Sequence, residues 1–324
     1  MRVIGLAVVL ALSLALAPLA AEAQQAKVYR VGVIFQGGEW DAVLDGLRDG
    51  LRELGLKEGQ HLFLELHDTK GDLKAVDEAA RNLQRDKVDL LYAVATSVTI
   101  AARRATTDIH IVFVAGADPV AVGLADSFAK PGGRFTGVHF QQTDLTAKRL
   151  EMLKEILPKL RRVVTFYNPS LPVAREAARL GREAAQRLRV EFVERHVASV
   201  AELQAGLQAL KVKEADALFF VSDFIVLAHA QLINDTARAK RFPTMFWDRS
   251  SIVKGGLASY GVSMHEAGRL SARYVQRILA GASPKDLAVE SVHKLELVIN
   301  LRTARAIGVT IPPELLRRAD QVIE

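Results

Sequence analysis

The sequence predicts an α/β protein made of two doubly wound parallel-sheet lobes, joined by a hinge that the chain crosses several times. Three observations predict it. Short continuous apolar runs alternate with stretches of helical periodicity, the pattern of strands buried on both faces of a parallel sheet. The alternation comes as two series, the second beginning near residue 161. A chain of 324 residues also ordinarily divides into two domains.

The chain starts with Arg2, an uncharged apolar run and then Ala21-Glu22-Ala23. A basic region, an apolar region and a small-residue site make a secretory signal peptide over residues 1–23, cleaved after Ala23. The run also approaches the length of a membrane anchor, about 17 residues. The small-residue site and the polar Gln24-Gln25 favour cleavage, and no Cys follows to carry a lipid. The expected location is the periplasm. The whole chain lacks Cys, so its core alone must hold it, which a chain of this size can do.

Residues 24–139 read as lobe one. RVGVIF, LFLEL, VDLLYAV and IHIVFVA are its strands, and WDAVLDGLRDGLRELG, DLKAVDEAARNLQ and SVTIAARRAT its helices. Asp118-Pro119 follows the strand IVFV, with Asp suited to a helix N-cap and Pro to the first helical position, so a further helix is expected there. RFTGVHF, after Pro131-Gly132-Gly133, alternates instead of running apolar throughout, as an edge or crossing strand does, and is read as the way out of lobe one. Residues 140–260 read as lobe two, with RRVVTFYN, RVEFVERH, DALFFVS and PTMFWD as strands and VAREAARLGREAAQRL and VAELQAGLQAL as helices. A segment near 262–290 is expected to return to lobe one. Residues 261–324 as a whole supply hinge crossings and a C-terminal segment packed on both lobes.

Open parallel sheets bind ligands beyond the carboxyl ends of their strands. Those positions hold Gln36 with Gly37 and Gly38, Thr96 and Ser97 with Thr99, and Asp118 in lobe one. In lobe two they hold Asn168 with Ser170, Asp223, and Trp247 with Asp248, while Phe140 and Tyr260 stand at two crossings. Thr96 and Ser97 open a helix, whose free N–H groups suit a carboxylate. Asp118 or Asp223 suits a cation, and Phe140, Trp247 or Tyr260 covers an apolar or aromatic body. An amphoteric ligand, an amino acid or close derivative, fits that set. Each residue also has a purely structural use: Asp118, Thr96 and Ser97 as caps, Asn168 and Asp248 in turns, Trp247 in a core, Tyr260 as hinge packing.

Several long motifs resemble, in order, the exported substrate-binding proteins of ABC transporters, in particular a two-lobe group some of whose members take aromatic amino acids. They are GLRELGLKEGQ ending at Gln60, RATTDIHIVFVAGADPVAVGL at 104–124, AKPGGRFTGV at 129–138, KRLEMLKEILP at 148–158, GGLASYG at 255–261 and ELVINLRTARAIGVTIPPELLRRADQVIE at 296–324. The resemblance covers the mature chain and implies a type I periplasmic binding protein fold, a small-molecule ligand held between the lobes and a membrane ABC permease as transient partner. Ala117 and the FQGGEWD loop depart from the family pattern.

The net charge of +6 stays the same after loss of the signal, and its Lys and Arg are spread along helical faces, so nucleic acid is not expected. No H-E-x-x-H, P-loop, G-x-S-x-G or G-x-G-x-x-G motif is present. SFAK at 127–130 matches S-x-x-K without its companion motifs. A non-enzyme without metal or cofactor, acting as a monomer, is therefore expected. An import receptor, a sensory module for a signalling receptor and an exported enzyme all use such lobes. The missing nucleophile and metal patterns count against the enzyme, and the resemblance favours import. A repressor would need a DNA-binding headpiece where this chain has a signal.

Overall fold

The computed structural model describes residues 27–36, 40–70 and 72–324; the signal-peptide reading and Gly37 and Gly38 lie outside the described residues. The first sheet has the order β11-β5-β4-β3-β1-β2. Its members are β1 (Tyr29–Phe35), β2 (Leu62–Asp68), β3 (Leu90–Val94), β4 (Ile111–Ala115), β5 (Phe135–His139) and the short β11 (Glu290–Ser291). Helices α1 (Asp41–Glu53), α2 (Leu73–Arg85) and α3 (Thr96–Ala105) connect its strands. Every pairing in it is parallel, and β3 and β4 are buried from end to end, which is why they are written as unbroken apolar runs.

The chain then passes through α4 (Thr146–Ile156) into a second sheet ordered β13-β12-β10-β9-β8-β6-β7. Its first strands are β6 (Arg162–Tyr167), β7 (Glu191–His196), β8 (Ala217–Phe219), β9 (Thr244–Phe246) and β10 (Ala258–Val262). Between them run α5 (Pro172–Leu188), α6 (Val200–Ala209), α7 (Phe224–Ala228), α8 (Ala230–Ala239) and α9 (Arg249–Val253). From β10 the chain returns to the first lobe as α10 (Met264–Leu279), which packs along α1. Two glycines make that packing close. A Cβ on Gly46 would lie 1.8 Å from the His265 carbonyl oxygen, and one on Gly268 1.9 Å from that of Val43, so neither position accepts a side chain.

After β11 the chain crosses again and adds β12 (Leu295–Asn300), α11 (Leu301–Ile307), α12 (Pro313–Arg318) and β13 (Gln321–Ile323) to the second lobe. Because β12 enters from the hinge while β10 leaves toward it, β10 and β12 pair antiparallel, the exception in two otherwise parallel sheets. Ile307, Ile311 and Leu315 join the second lobe's core, while Leu295, at the start of β12, packs against that of the first.

One local expectation needs correction. No helix follows Asp118-Pro119; residues 119–133 form successive turns. The Leu124 and Ala125 amides both reach the Pro119 carbonyl, at 2.7 and 3.1 Å, and Gly123, Gly132 and Gly133, all at positive φ, break the helical path. Strand β5, read as an edge or crossing strand, is the one after which the chain leaves lobe one; β11 covers it, and all five of its residues are buried. Its alternation comes from buried small and polar residues. Thr136 donates its hydroxyl to the Leu287 carbonyl at 2.7 Å, and Gly137 lets the Phe113 backbone come close.

Candidate functional site

The chain leaves the first sheet at the carboxyl end of β5 and the second at the carboxyl end of β10, so the carboxyl ends of both sheets lie toward the hinge. The candidate residues that follow strands in both lobes therefore lie at the hinge-facing ends of their sheets. Three crossings join the lobes, after β5, between β10 and α10, and between β11 and β12. Among the described residues, no ion pair joins the lobes, and the hydrogen bonds between them are confined to the crossing segments, such as the Ser263 amide to the Lys294 carbonyl at 2.9 Å.

On lobe one the predicted residues form a connected group. Gln36 Nε2 donates to Ser97 Oγ at 3.2 Å, and the Gly116 amide donates to Thr96 Oγ1 at 3.1 Å, tying together the ends of β1, β3 and β4. Asp118 Oδ1 accepts from the Val120 and Ala121 amides at 2.8 and 3.1 Å, capping a turn where a helix was expected. Phe140 is buried in the lobe-one core, its ring 6.5 Å from that of Trp40. Ala95, between β3 and α3, has φ +93° and ψ 146°, a conformation that suits glycine and strains alanine. That strained residue aims the start of α3 at the cleft.

The lobe-two residues are more deeply engaged. Asp223 is 4% exposed, and its Oδ1 accepts from the Ile225 and Val226 amides at 2.7 and 3.3 Å as the cap of α7. Its Oδ2 accepts from the Asn168 amide at 2.7 Å, which joins the ends of β6 and β8. Asn168 Oδ1 accepts from the Ser170 amide at 3.0 Å and hydroxyl at 2.6 Å. Trp247 is buried in the core on one face of the second sheet, while Tyr260 is half-buried against the core on the other. Asp248, likewise buried, caps α9 and accepts from both the Ser250 and Ser251 hydroxyls at 2.7 Å. Behind these lies Arg149, fully buried, with Nη2 donating to the Gln142 carbonyl and Nε and Nη1 without partners among the described residues. Burial pushes its guanidinium down to about 9, against the opposing pull of the Asp248 charge.

Beside the cleft at the hinge is a cavity of about 660 Å³ that, of the strand-end residues singled out from the sequence, Asp248 alone lines. It is walled by the first two turns of α1, by α9 with its cap, and by the crossing residues. Apart from Asp248, sequence reasoning missed this corner, and it missed Trp40 and Ala95. Trp40 carried a signal as one of two tryptophans, placed just before the first helix. The conformation of Ala95 carried none, because alanine at positive φ leaves no mark in composition.

No helix of the described residues is long and apolar enough to cross a membrane, and these residues hold no group of His, Asp or Glu suited to a metal. Among similar proteins is the tyrosine-binding protein of Clostridioides difficile, 27% identical over 268 residues, 82% of this chain and 76% of that one. A conserved domain protein from Vibrio cholerae has a solved structure that aligns with a TM-score of 0.79 at 29% identity, covering 91% of this chain and all of that one (100%). The structure of an ABC domain in complex with L-Trp from Streptococcus pneumonia also aligns at 0.79, with 24% identity, covering 92% of this chain and 100% of that one, and speaks to the shared type I periplasmic binding protein fold. The family model for the ABC transporter substrate binding protein matches residues 29–323, so the chain belongs to that family.

Proposed function

We propose that this protein is the extracytoplasmic receptor of an ABC importer, exported by its N-terminal signal, and that it captures an aromatic amino acid by closing its two lobes over it. The observation that carries this reading is the connection between the lobes: each presents half of a polar and aromatic set, and only the three crossings join them. A ligand touching both halves binds the closed state better than the open one, and that difference alone drives closure. The tyrosine-binding relative supports the choice of ligand class.

In this reading the first amides of α3, beside Thr96 and Ser97, take the ligand carboxylate, since they lack intrahelical acceptors and sit at the positive end of the helix. Asp118 is the better placed of the two acids for the amine. Its Oδ2 has no bonded partner among the described residues and its side chain is partly exposed, whereas both oxygens of Asp223 serve backbone amides. The half-buried rings of Trp40 and Tyr260 flank the side chain, with Phe140 and Trp247 packed beneath. A membrane permease receives the closed form.

Titration calorimetry of the purified mature chain with L-tyrosine, L-tryptophan, L-phenylalanine, aliphatic amino acids and sugars tests this. Saturable binding of an aromatic amino acid, with a smaller radius of gyration on binding, is expected. Binding of sugars with no response to any amino acid would sink the ligand assignment.

A further inference from the structure

The hinge-side cavity has walls of opposite charge, divided by lobe. Lobe one supplies Asp41 and Asp45 from the first two turns of α1, and lobe two supplies Arg249 and Lys254 from α9 and its end. The other charged groups in the cavity already have partners. Glu296 accepts from the Ser263 hydroxyl, His265 Nε2 lies 3.0 Å from Asp49, and Asp248 holds its own helix.

The four wall groups are weakly paired or unpaired. Asp41 has no hydrogen-bonded or ion-paired partner among the described residues, and burial, then the charges of Asp68 and Asp45, raise its carboxyl above the usual range. Asp45 reaches only Arg48, at 3.8 Å, with 70% of its side chain exposed. Arg249 Nε donates to the neutral Gln321 Oε1 at 2.6 Å, and Lys254 has no side-chain partner among the described residues. Asp41, unpaired, and Asp45, held only by the 3.8 Å contact to Arg48, thus line the same cavity as Arg249 and Lys254, neither of which has a carboxylate partner among the described residues.

We propose that Asp41 and Asp45 of lobe one and Arg249 and Lys254 of lobe two form an electrostatic clasp that closes across the hinge cavity and adds to the closing equilibrium. The inference rests on the hinge-closure reading, though not on the identity of the ligand. Such pairs are partly exposed, so each is worth a factor of about 1.5 to 5 in an equilibrium constant, and salt weakens them.

The absence of native cysteine permits a direct test. Asn82→Cys on α2 and Gln186→Cys on α5, both exposed, carry spin labels, one on each lobe, and pulsed electron resonance reads the interlobe distance in the ligand-free protein. A minor short-distance population at low salt should shrink in about 1 M salt, where the screening length is near 3 Å. It should fall to a similar extent in Asp41→Lys/Asp45→Lys, and return when Arg249→Glu/Lys254→Glu is added. A population that ignores both salt and charge reversal, or a fourfold variant that fails to recover, overturns the clasp. The same proteins titrated with L-tyrosine give the second arm. A dissociation constant raised about three- to tenfold by the lobe-one pair and restored by the swap supports it. If L-tyrosine does not bind but the distances follow the charges, the ligand assignment fails and the clasp stands.

Discussion

The two sides of the cleft carry similar residue types at equivalent strand ends but use them differently. On lobe one, Gln36 is linked to Ser97 and Gly116 to Thr96 by one hydrogen bond each, and Asp118 keeps an oxygen free of bonded partners among the described residues. On lobe two, Asp223 and Asp248 are each 4% exposed and hold three amides or hydroxyls apiece. A carboxylate at a strand end can therefore be a ligand group or a structural pin, and its burial and its count of donors tell which. Lobe two is pinned by its acids; lobe one offers its own to solvent.

The largest expected effect follows from that contrast. Asp223→Ala removes the cap of α7 and leaves the Asn168 amide unpaired, so it should lower stability by about 2–4 kcal/mol, the range for a lost cap plus a buried donor left unsatisfied. Asp118→Ala should cost stability about 1 kcal/mol or less, because its turn is partly solvated. Urea melts of the two variants side by side check this, and equal losses would erase the distinction between pin and ligand group.

The reverse order is expected for binding. Asp118→Asn keeps an oxygen to cap the turn and removes the charge offered to an amine, so the affinity for an amino acid should fall roughly tenfold, about 1.4 kcal/mol. The melting temperature should change little. Calorimetry on the folded variant measures it; an unchanged dissociation constant would move the amine to the lobe-two acids.

Much of this architecture was legible in the sequence because buried parallel strands have a distinctive form. IVFVA and LLYAV are apolar throughout since both faces of the sheet are covered, and the helices follow the spacing of Val43, Leu47 and Leu51. The illegible parts depend on partners distant in sequence. Strand β5 looked like an edge or crossing strand because Thr136 and Gly137 are not apolar; the chain does cross after it, but nothing local shows that Leu287, 151 residues on, satisfies the threonine. Asp118-Pro119 had the chemistry of a helix start, but glycines downstream decided otherwise. The candidate site residues were chosen by topology alone. Which of them pin the structure needed the hydrogen bonds, which no local pattern encodes.

A smaller effect would sharpen the lobe-one side. If Ala95 is strained to aim α3, Ala95→Gly should relieve it, since a non-glycine residue in such a region costs about 1–3 kcal/mol and glycine gives back about 0.5–1 kcal/mol of chain entropy. A net gain of about 1 kcal/mol in a denaturant melt is expected. A loss would show that the neighbouring packing, and not strain, sets this conformation.

The smallest expected effect concerns His139, at the point where the first crossing leaves lobe one. Its ring lies 4.9 Å from that of Phe128, its Nδ1 has no partner among the described residues, and it is 6% exposed. Burial, helped by the positive charge of His293, holds its pKa below the ordinary 6.5, although Asp118 pulls the other way. A histidine whose folded value is depressed takes up its proton more readily when unfolded. Its contribution to stability is therefore complete above about 6.5 and is lost as pH falls from there toward the lowered folded value. Melts of the wild type and of His139→Gln between pH 5 and 8 should diverge only at the acid end, with the wild type losing more. Because Asp118 is one of the charges acting on this imidazole, Asp118→Asn should widen that loss, while Asp223→Asn on the other lobe should leave it alone. If both variants shifted the acid limb equally, the two sides of the cleft would be electrostatically one unit, and the division drawn between them would hold for hydrogen bonds only.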